Sequence, residues 1–182
     1  DGKIDAYDRV VLGKPFPDVT YSMNNSLKYK NWNLEIYVMG VQGIESMNVN
    51  VLESLKPINF DRNILTEHYL DRWTVNNPHA KYPSGVNSSV YFNGGKVVNS
   101  YVVQDASFFR VKNVTLGYQI PIRKSSILKS ANVYLSCENV LTITNFEGFD
   151  PDANQTDTSI SKASYNNYPL ARVFRIGANI NF

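Results

Sequence analysis

The chain has 182 residues, of which 43% are hydrophobic and 13% aromatic, and this composition is too apolar for a disordered polymer. Lys and Arg number 18 against 16 Asp and Glu, so the net charge is only +2 and gives no reason to expect a nucleic-acid-binding surface. The apolar runs are only a few residues long, and the sequence therefore predicts no membrane-spanning helix.

The first eight residues, DGKIDAYD, have the spacing of part of an EF-hand calcium loop. With Asp1 at the fifth position, Gly2 takes the sixth, where the sharp turn is required. Lys3 then offers its carbonyl at the seventh, Asp5 stands at the ninth and Asp8 at the twelfth, where a bidentate Glu is usual. The first two ligands would lie upstream, which suggests part of a longer polypeptide. The alternatives are a calcium site formed by Asp1, Lys3, Asp5 and Asp8, or a solvated Asp/Gly turn.

Two alternating runs follow, Val19 to Tyr29 and Trp32 to Gln42. They are separated only by Lys30 and Asn31, and so short a link predicts an antiparallel hairpin. The apolar positions are Tyr21, Met23, Leu27 and Tyr29 in the first run, and Trp32, Leu34, Ile36 and Val38 in the second.

Residues 44–100 lose this alternation and are predicted to be a long loop with one helix. The apolar spacing from Ile64 to Trp73 is helical, and Asp61 is placed as a possible N-cap. His68 and His79 have no third metal-ligand type at a matching spacing, and Cys137 is the chain's single cysteine, which excludes an internal disulfide.

Three further alternating runs lie at Asp105–Ile120, Ala131–Leu141 and Leu170–Phe182. The last of them places apolar residues at every second position, namely Phe174, Ile176, Ala178, Ile180 and Phe182. Such a strand fits either the wall of a membrane β-barrel or an ordinary sandwich with one solvated face. The mean hydropathy of −0.29 is compatible with both, because barrel strands also alternate apolar and polar residues.

The stretch Asp105–Pro121, DASFFRVKNVTLGYQIP, resembles the carboxyl-terminal part of SusC/RagA-type TonB-dependent outer-membrane transporters. The family pattern at this point is close to Asp-Gly-Ser-Phe-Leu-Arg-Leu-Lys-Asn-Ile-Thr-Leu-Gly-Tyr, and the chain departs from it at Ala106, Phe109, Val111 and Val114. Further similarities occur in the family's order: DGKID, Gln42-Gly43, Trp73 to Pro83, Glu138 to Leu141, Gly148 to Pro151 and the terminal Phe182.

The resemblance implies an all-β fold: an antiparallel transmembrane β-barrel fragment containing about five of the last strands of a barrel of about 22. The whole of residues 1–182 would belong to the barrel, and the plug domain would lie upstream. Long extracellular loops would be 1–18, 44–100 and 142–169, and the short links 30–31 and 121–130 would be periplasmic, like the carboxyl terminus. Aromatic residues would form two belts, with Tyr29, Trp32, Tyr118 and Phe182 at the lower rim and Tyr21, Phe108, Phe109 and Phe174 at the upper.

By the same resemblance, the protein would import oligosaccharides or peptides through the outer membrane of a Gram-negative bacterium. Its partners would be a SusD-like surface lipoprotein, TonB, outer-membrane lipid and the remaining segment of the same barrel. No catalytic or cofactor-binding constellation is expected, and Phe174, Ile176, Ala178, Ile180 and Phe182 are interpreted as the barrel-assembly signal. The alternative function is a secreted soluble β-sandwich that binds glycans through loop aromatics such as Trp73 and Tyr82.

Overall fold

The computed structural model describes residues 7, 9–54, 63–82, 84, 99–122, 127–152, 163–164 and 167–182. The chain divides into two compact units, here called the loop unit (1–16, 44–105 and 146–168) and the sheet unit (17–43, 106–145 and 169–182). In chain order the elements are β1 (Val19–Tyr29), β2 (Trp32–Gln42), β3 (Glu45–Asn48), α1 (Val49–Ser54), α2 (Thr66–Leu70), β4 (Val103–Asp105), β5 (Phe108–Ile120), β6 (Ser130–Thr144), β7 (Ala163–Ser164) and β8 (Val173–Asn181).

The sheet unit is a single antiparallel sheet in the order β1-β2-β5-β6-β8. All five strands predicted from the alternating runs are therefore confirmed, although β6 continues past Leu141 to Thr144 and the last strand begins only at Val173. The five strands lie side by side in the order in which they occur in the chain, and each is antiparallel to its neighbours. This is an up-and-down topology.

The hairpin of β1 and β2 turns at Lys30 and Asn31, as the sequence predicts. Lys30 has a φ of +52°, in the left-handed region that a residue with a Cβ rarely adopts. Its amino group lies 5.4 Å from the centre of the Tyr29 ring, within the range of a cation–π contact. The far end of the hairpin is closed by the Asp18 N–H, which donates to the Gln42 carbonyl at 2.9 Å.

The register shifts in the middle of β5, where Lys112 is an extra residue relative to β2. The neighbouring strand β6 has two extra residues at the same level, Asn139 and Val140, and Asn139 has a φ of +52°. One extra residue reverses the side-chain alternation of β5, whereas two leave that of β6 unchanged. Phe108 and Arg110 therefore share a face with Asn113 instead of continuing the apolar row of Val114.

One face of the five-stranded sheet, here called the apolar face, carries nearly all of its large hydrophobic side chains. Many are exposed, up to 87% for Ile176. This exposure contradicts the β-sandwich alternative, in which a second sheet would cover these side chains. Outside the bulge the face contains Val19, Tyr21, Met23, Leu27, Tyr29, Trp32, Leu34, Ile36, Val38, Phe109, Val111, Val114, Leu116, Tyr118, Ile120, Ala131, Val133, Leu135, Cys137, Leu141, Ile143, Phe174, Ile176, Ala178 and Ile180.

The expected aromatic grouping at the lower rim is found in part. Tyr29, Trp32 and Tyr118 occupy directly opposed positions on three successive strands, and the Trp32 and Tyr118 ring centres are 4.7 Å apart. At the other end Phe109 lies on the apolar face, but Phe108 lies on the opposite face and is buried, so its assignment to a belt was wrong. The reason is the reversed alternation at Lys112.

The loop unit contains a small sheet in the order β4-β3-β7, in which β3 pairs antiparallel with β4 and parallel with β7. Val51 and Tyr82 form a buried apolar cluster, against which Tyr101 packs. No helix in the part of the chain that the structure describes is long and apolar enough to cross a membrane.

The helix predicted for Ile64 to Trp73 is shorter than expected. The structure limits α2 to Thr66–Leu70, with Leu65 rather than Asp61 at the N-cap and without a side-chain capping hydrogen bond. A helix this short gains few backbone hydrogen bonds, and the chain instead continues into bridges between Arg72 and Tyr82 and between Thr74 and Asn77.

Candidate functional site

The second face of the five-stranded sheet, here called the polar face, is the candidate functional surface among the described residues. It combines hydroxyl, amide and charged side chains from all five strands and has few aliphatic ones. Its polar members are Thr20, Ser22, Asn24, Ser26, Lys28, Asn33, Glu35, Tyr37, Arg110, Asn113, Thr115, Gln119, Ser130, Asn132, Tyr134, Ser136, Glu138, Thr142, Thr144, Arg175, Asn179 and Asn181.

Side chains on this face cover the glycines that stand opposite them. Tyr134 lies over Gly177 of β8, and Asn33 lies over Gly117 of β5, so closely that a Cβ at either glycine would collide with the covering side chain. In both cases the covering residue is the direct cross-strand partner. The absence of a side chain at each glycine therefore lets the larger side chain on the neighbouring strand lie flat against the sheet.

An ion pair joins two neighbouring strands on the polar face. Arg175 of β8 contacts the Glu138 carboxylate of β6, and both side chains are partly exposed. On the same strands, the Asn181 side-chain amide donates to the Ser130 hydroxyl at 2.7 Å. These contacts fix the polar side chains of the last ladder, and Arg175 remains exposed enough to meet a ligand.

The end of the polar face near the start of β5 is more tightly packed. Arg110 is only 1% exposed, and its guanidinium lies 5.1 Å from the centre of the Phe108 ring. Its Nε donates to the Thr142 hydroxyl at 2.8 Å, and the Thr144 hydroxyl donates to the Ser107 carbonyl at 2.8 Å. Arg110 is therefore a structural residue of this face and is not accessible to a ligand.

The start of β8 is tied to the bulge in β6. The Asn139 side-chain amide donates to the Ala171 carbonyl at 2.8 Å, and Arg172 Nε donates to the Asn139 carbonyl at 3.4 Å. Asparagine tolerates the left-handed conformation better than most residues with a Cβ, which suits it to this position. Nothing in the alternation pattern indicates this contact, whereas the consecutive polar residues Lys112 and Asn113 are the sequence signal of the bulge in β5.

A chain of polar side chains crosses the loop unit. Lys81 Nζ donates to Glu147 Oε1 at 2.6 Å, Gln104 Nε2 donates to Glu147 Oε2 at 3.0 Å, and Asn48 Nδ2 donates to Gln104 Oε1 at 3.2 Å. The hydrogen bond to Glu147 raises the pKa of Lys81 above its usual value, with a smaller contribution from Tyr82. The network links residues from four separate stretches of the chain and so fixes the loop unit.

The loop aromatics proposed for glycan binding do not act together. Tyr82 is 4% exposed and stacks on buried His68 with ring centres 4.3 Å apart, so it is a core residue and its assignment to glycan recognition was wrong. Trp73 is 46% exposed, and the Arg72 guanidinium lies 4.1 Å from the neighbouring Tyr69 ring. His68 therefore has a packing role that its sequence position did not indicate.

The terminal apolar row lies on the exposed apolar face of β8. Phe174, Ile176 and Ile180 are strongly exposed, Ala178 lies between them, and Phe182 follows the last residue of the strand. This arrangement is compatible with the predicted assembly signal, which stays a prediction. Cys137 lies on the same face, opposite Phe174, as a free cysteine.

The proposed calcium ligands Asp1, Lys3, Asp5 and Asp8 lie outside the residues that the structure describes. Within the described residues, no three His, Cys, Asp or Glu side chains are grouped closely enough to hold a metal ion. The calcium site remains a prediction from loop spacing alone.

Comparison with known proteins shows similarity over the full chain. It is 35% identical to TonB-dependent receptor P26 and 29% identical to TonB-dependent receptor P3, both of Formosa agariphila, in each case over 100% of this chain. It is also 25% identical to TonB-dependent receptor SusC of Bacteroides thetaiotaomicron, again over 100% of its length. The chain spans 19%, 18% and 17% of these relatives, or roughly a fifth of their length. No family model matches the chain.

Solved structures show the same fold. The chain superimposes on the RagAB peptide importer in its closed-closed state with a TM-score of 0.76, covering 100% of this chain and 20% of that one at 20% identity. The open-open state gives a TM-score of 0.73 and covers 92% of this chain and 17% of that one at 22% identity. The predicted barrel-type fold is therefore confirmed.

Proposed function

Since the chain matches part of a SusC/RagA-type TonB-dependent transporter over its whole length, we propose that the complete protein imports nutrients across the outer membrane. This chain forms a five-stranded section of the barrel wall. The relatives are named as receptors and importers, which supports a transport function rather than an enzymatic one.

One observation carries this proposal: a continuous antiparallel sheet with an exposed apolar face on one side and a polar face on the other. In water, exposed apolar side chains over five strands would promote aggregation. In a barrel wall, the apolar face contacts lipid and the polar face lines the interior. The apolar face is thus covered by lipid and the polar face by the water of the barrel interior, so that no second sheet is needed.

We propose that the carboxyl terminus lies on the periplasmic side. The turn at Lys30 and Asn31 and the short link of residues 121–129 leave the sheet at one end, whereas the loop-unit segments leave at the other. Short periplasmic turns and long extracellular loops are typical of such barrels. A membrane-impermeant thiol reagent applied to intact cells should label Asn77→Cys, but should label Asn31→Cys only after the outer membrane is opened.

The proposed partners are a SusD-like surface lipoprotein, TonB and the remaining strands of the same barrel. The similarity to SusC and the fold shared with the RagAB peptide importer support a lipoprotein partner. The substrate is proposed to be an oligosaccharide or a peptide. The accessible hydroxyl, amide and charged side chains of the polar face can hydrogen-bond to either class.

Growth of a deletion strain on single glycans and peptides tests this function. Loss of growth on one substrate class, restored by the complete gene and abolished again in a strain lacking TonB, is the expected result. Unchanged growth and uptake on every member of a broad panel would contradict the import function. Copurification with a tagged transporter would test the lipoprotein partner separately.

We further propose that Asp1, Asp5 and Asp8, with the Lys3 carbonyl, bind calcium in the complete protein. Calorimetry on the full-length transporter should show calcium binding that is lost in the variant combining Asp1→Asn and Asp5→Asn. A matched change at Asp18, which lies outside the loop spacing, should leave the binding heat unchanged. Equal heats in all three proteins would contradict the site.

A further inference from the structure

Asn25 is an exception on the apolar face. Outside the bulge at Lys112 and Asn139, it is the only amide or charged side chain in the interior of that face among the described strands. Its direct partner in β2 is Ile36, and the same row continues through Val114, Cys137 and Phe174. It lies near the middle of β1, far from either strand end.

A side-chain amide is expensive at this position. Its two N–H groups and its carbonyl oxygen need hydrogen-bond partners, and hydrocarbon supplies none. On the side of β1 that faces β2, the opposed residue is Ile36, which offers only an aliphatic side chain. A partner for the amide must therefore come from the other side of the strand.

The other side of β1 is an open sheet edge. β1 pairs only with β2 in the described structure, and all eleven of its residues are exposed. Backbone N–H and C=O groups along this edge also need partners within a membrane. An adjacent strand would satisfy the backbone groups and the Asn25 side chain together, whereas a second copy pressed against the lipid side would leave the backbone groups unpaired.

We propose that Asn25 hydrogen-bonds across this edge to a polar side chain on the next barrel strand of the complete protein. The inference rests on the proposed barrel function. Directly opposed residues of antiparallel strands have Cβ atoms about 4.5–5.5 Å apart, a distance that an Asn amide can span to Ser, Thr, Asn or Gln. The chemistry of Asn25 thus specifies its neighbour: a hydrogen-bonding residue on the lipid side, where the other positions are apolar.

Disulfide crosslinking in the full-length transporter locates the neighbour. In a Cys137→Ala background, Asn25→Cys is combined with single cysteines along the strand that abuts β1. The strongest crosslink is expected at a position whose native residue can hydrogen-bond. A strongest crosslink at an aliphatic position, or between two copies of the transporter, would overturn the inference while leaving the barrel intact. Failure to crosslink to any strand would contradict the barrel closure itself.

A pair of substitutions tests the energetic side independently. Asn25→Leu, in the purified full-length protein, should lower the urea midpoint of unfolding because it leaves the partner side chain unsatisfied. Leu27→Asn, on the same face of the same strand, should also lower it, because it adds an amide without a partner. If Asn25→Leu leaves the midpoint unchanged or raises it, Asn25 has no such partner and the inference fails.

Discussion

The sheet unit and the loop unit differ in where they keep their apolar side chains. In the sheet unit, side chains such as Leu135 and Ile176 point outward from the apolar face, and buried Arg110 lies on the opposite side. In the loop unit, Val51 and Tyr82 are buried together. The difference indicates that the two units are adapted to different surroundings. The apolar face of the sheet suits contact with lipid, whereas the loop unit buries its apolar side chains away from water.

The two units also depend on different kinds of hydrogen bond. The sheet unit satisfies its backbone through long ladders, the longest along β5 and β6. The loop unit has strands of only two to four residues and adds side-chain links such as that between Lys81 and Glu147. Changes to strand register should therefore damage the sheet unit most, whereas changes to single side chains should damage the loop unit locally.

The largest effect is expected from deletion of Lys112. Without the extra residue, β5 loses its reversal of alternation, and Arg110 and Phe108 move toward lipid while the Thr142 hydroxyl loses its donor. Assembly should fail, as measured by the heat-modifiable folded band in outer-membrane fractions. The control Lys112→Ala keeps the residue count and should assemble normally, and equal behaviour of the two variants would show that the bulge does not set the facing.

Arginine on the apolar face should have the next largest effect. Ile176→Arg or Leu116→Arg places a charge toward lipid, at a cost of about 2–4 kcal/mol at mid-membrane, and should reduce the folded fraction. Thr115→Arg, the neighbour of Leu116 on the polar face, should be tolerated in folding. Equal losses at Leu116 and Thr115 would contradict the assignment of the two faces.

Truncation of the loop-unit core should separate the two units. Tyr82→Ala removes the ring that packs on His68 and Val51, and we expect a local loss of about 2 kcal/mol because so small a cluster can partly collapse. Limited proteolysis should then cleave the loop unit faster, while the heat-modifiable band of the barrel stays unchanged. Tyr69→Ala, at an exposed position, is the control, and a parallel loss of the barrel band in Tyr82→Ala would mean that the units unfold together.

The smallest effect concerns the ion pair of the loop unit. The side chains of Lys81 and Glu147 are 53% and 39% exposed, so Glu147→Gln should change local stability by less than about 1 kcal/mol. Because folding raises the pKa of Lys81 from 10.5, the contribution of the pair is complete below pH 10.5 and is lost as the pH rises through the raised value. Proteolysis rates of the loop unit at pH 7 and pH 9 should therefore show the same small difference between wild type and Glu147→Gln.

The sequence predicted the sheet unit better than the loop unit, for a physical reason. Apolar and polar residues must alternate along a strand that separates two environments. Runs such as Trp32 to Gln42 and Phe174 to Phe182 can therefore be recognised as strands from the sequence. The bulge leaves only a weak mark in the sequence. Lys112 and Asn113 are consecutive polar residues between Val111 and Val114, but this break in the alternation does not say which residue is the extra one. The alternating runs therefore leave the face of Arg110 open, and they do not mark Asn25 as the exception on the apolar face of β1.

In the loop unit, the local sequence patterns gave wrong predictions. The spacing from Ile64 to Trp73 suggested a long helix, but His68 packs on Tyr82 and the chain turns after Leu70. The burial of Tyr82 cannot be predicted, because no periodicity marks a core formed by contacts between distant segments. Long-range packing of this kind has no signature in a single sequence.

The lengths of the connections also determine the order in which the sheet can form. β1 and β2 are joined by Lys30 and Asn31 alone, and β5 and β6 by residues 121–129, so each pair can form as a hairpin with little loss of chain entropy. The β2–β5 ladder must wait until residues 43–107 close into a loop, and β8 joins only after residues 145–172 have done the same. Assembly should accordingly proceed by docking of two preformed hairpins, after which β8 is added. The strand with the most regular apolar row is therefore the last to join this part of the wall.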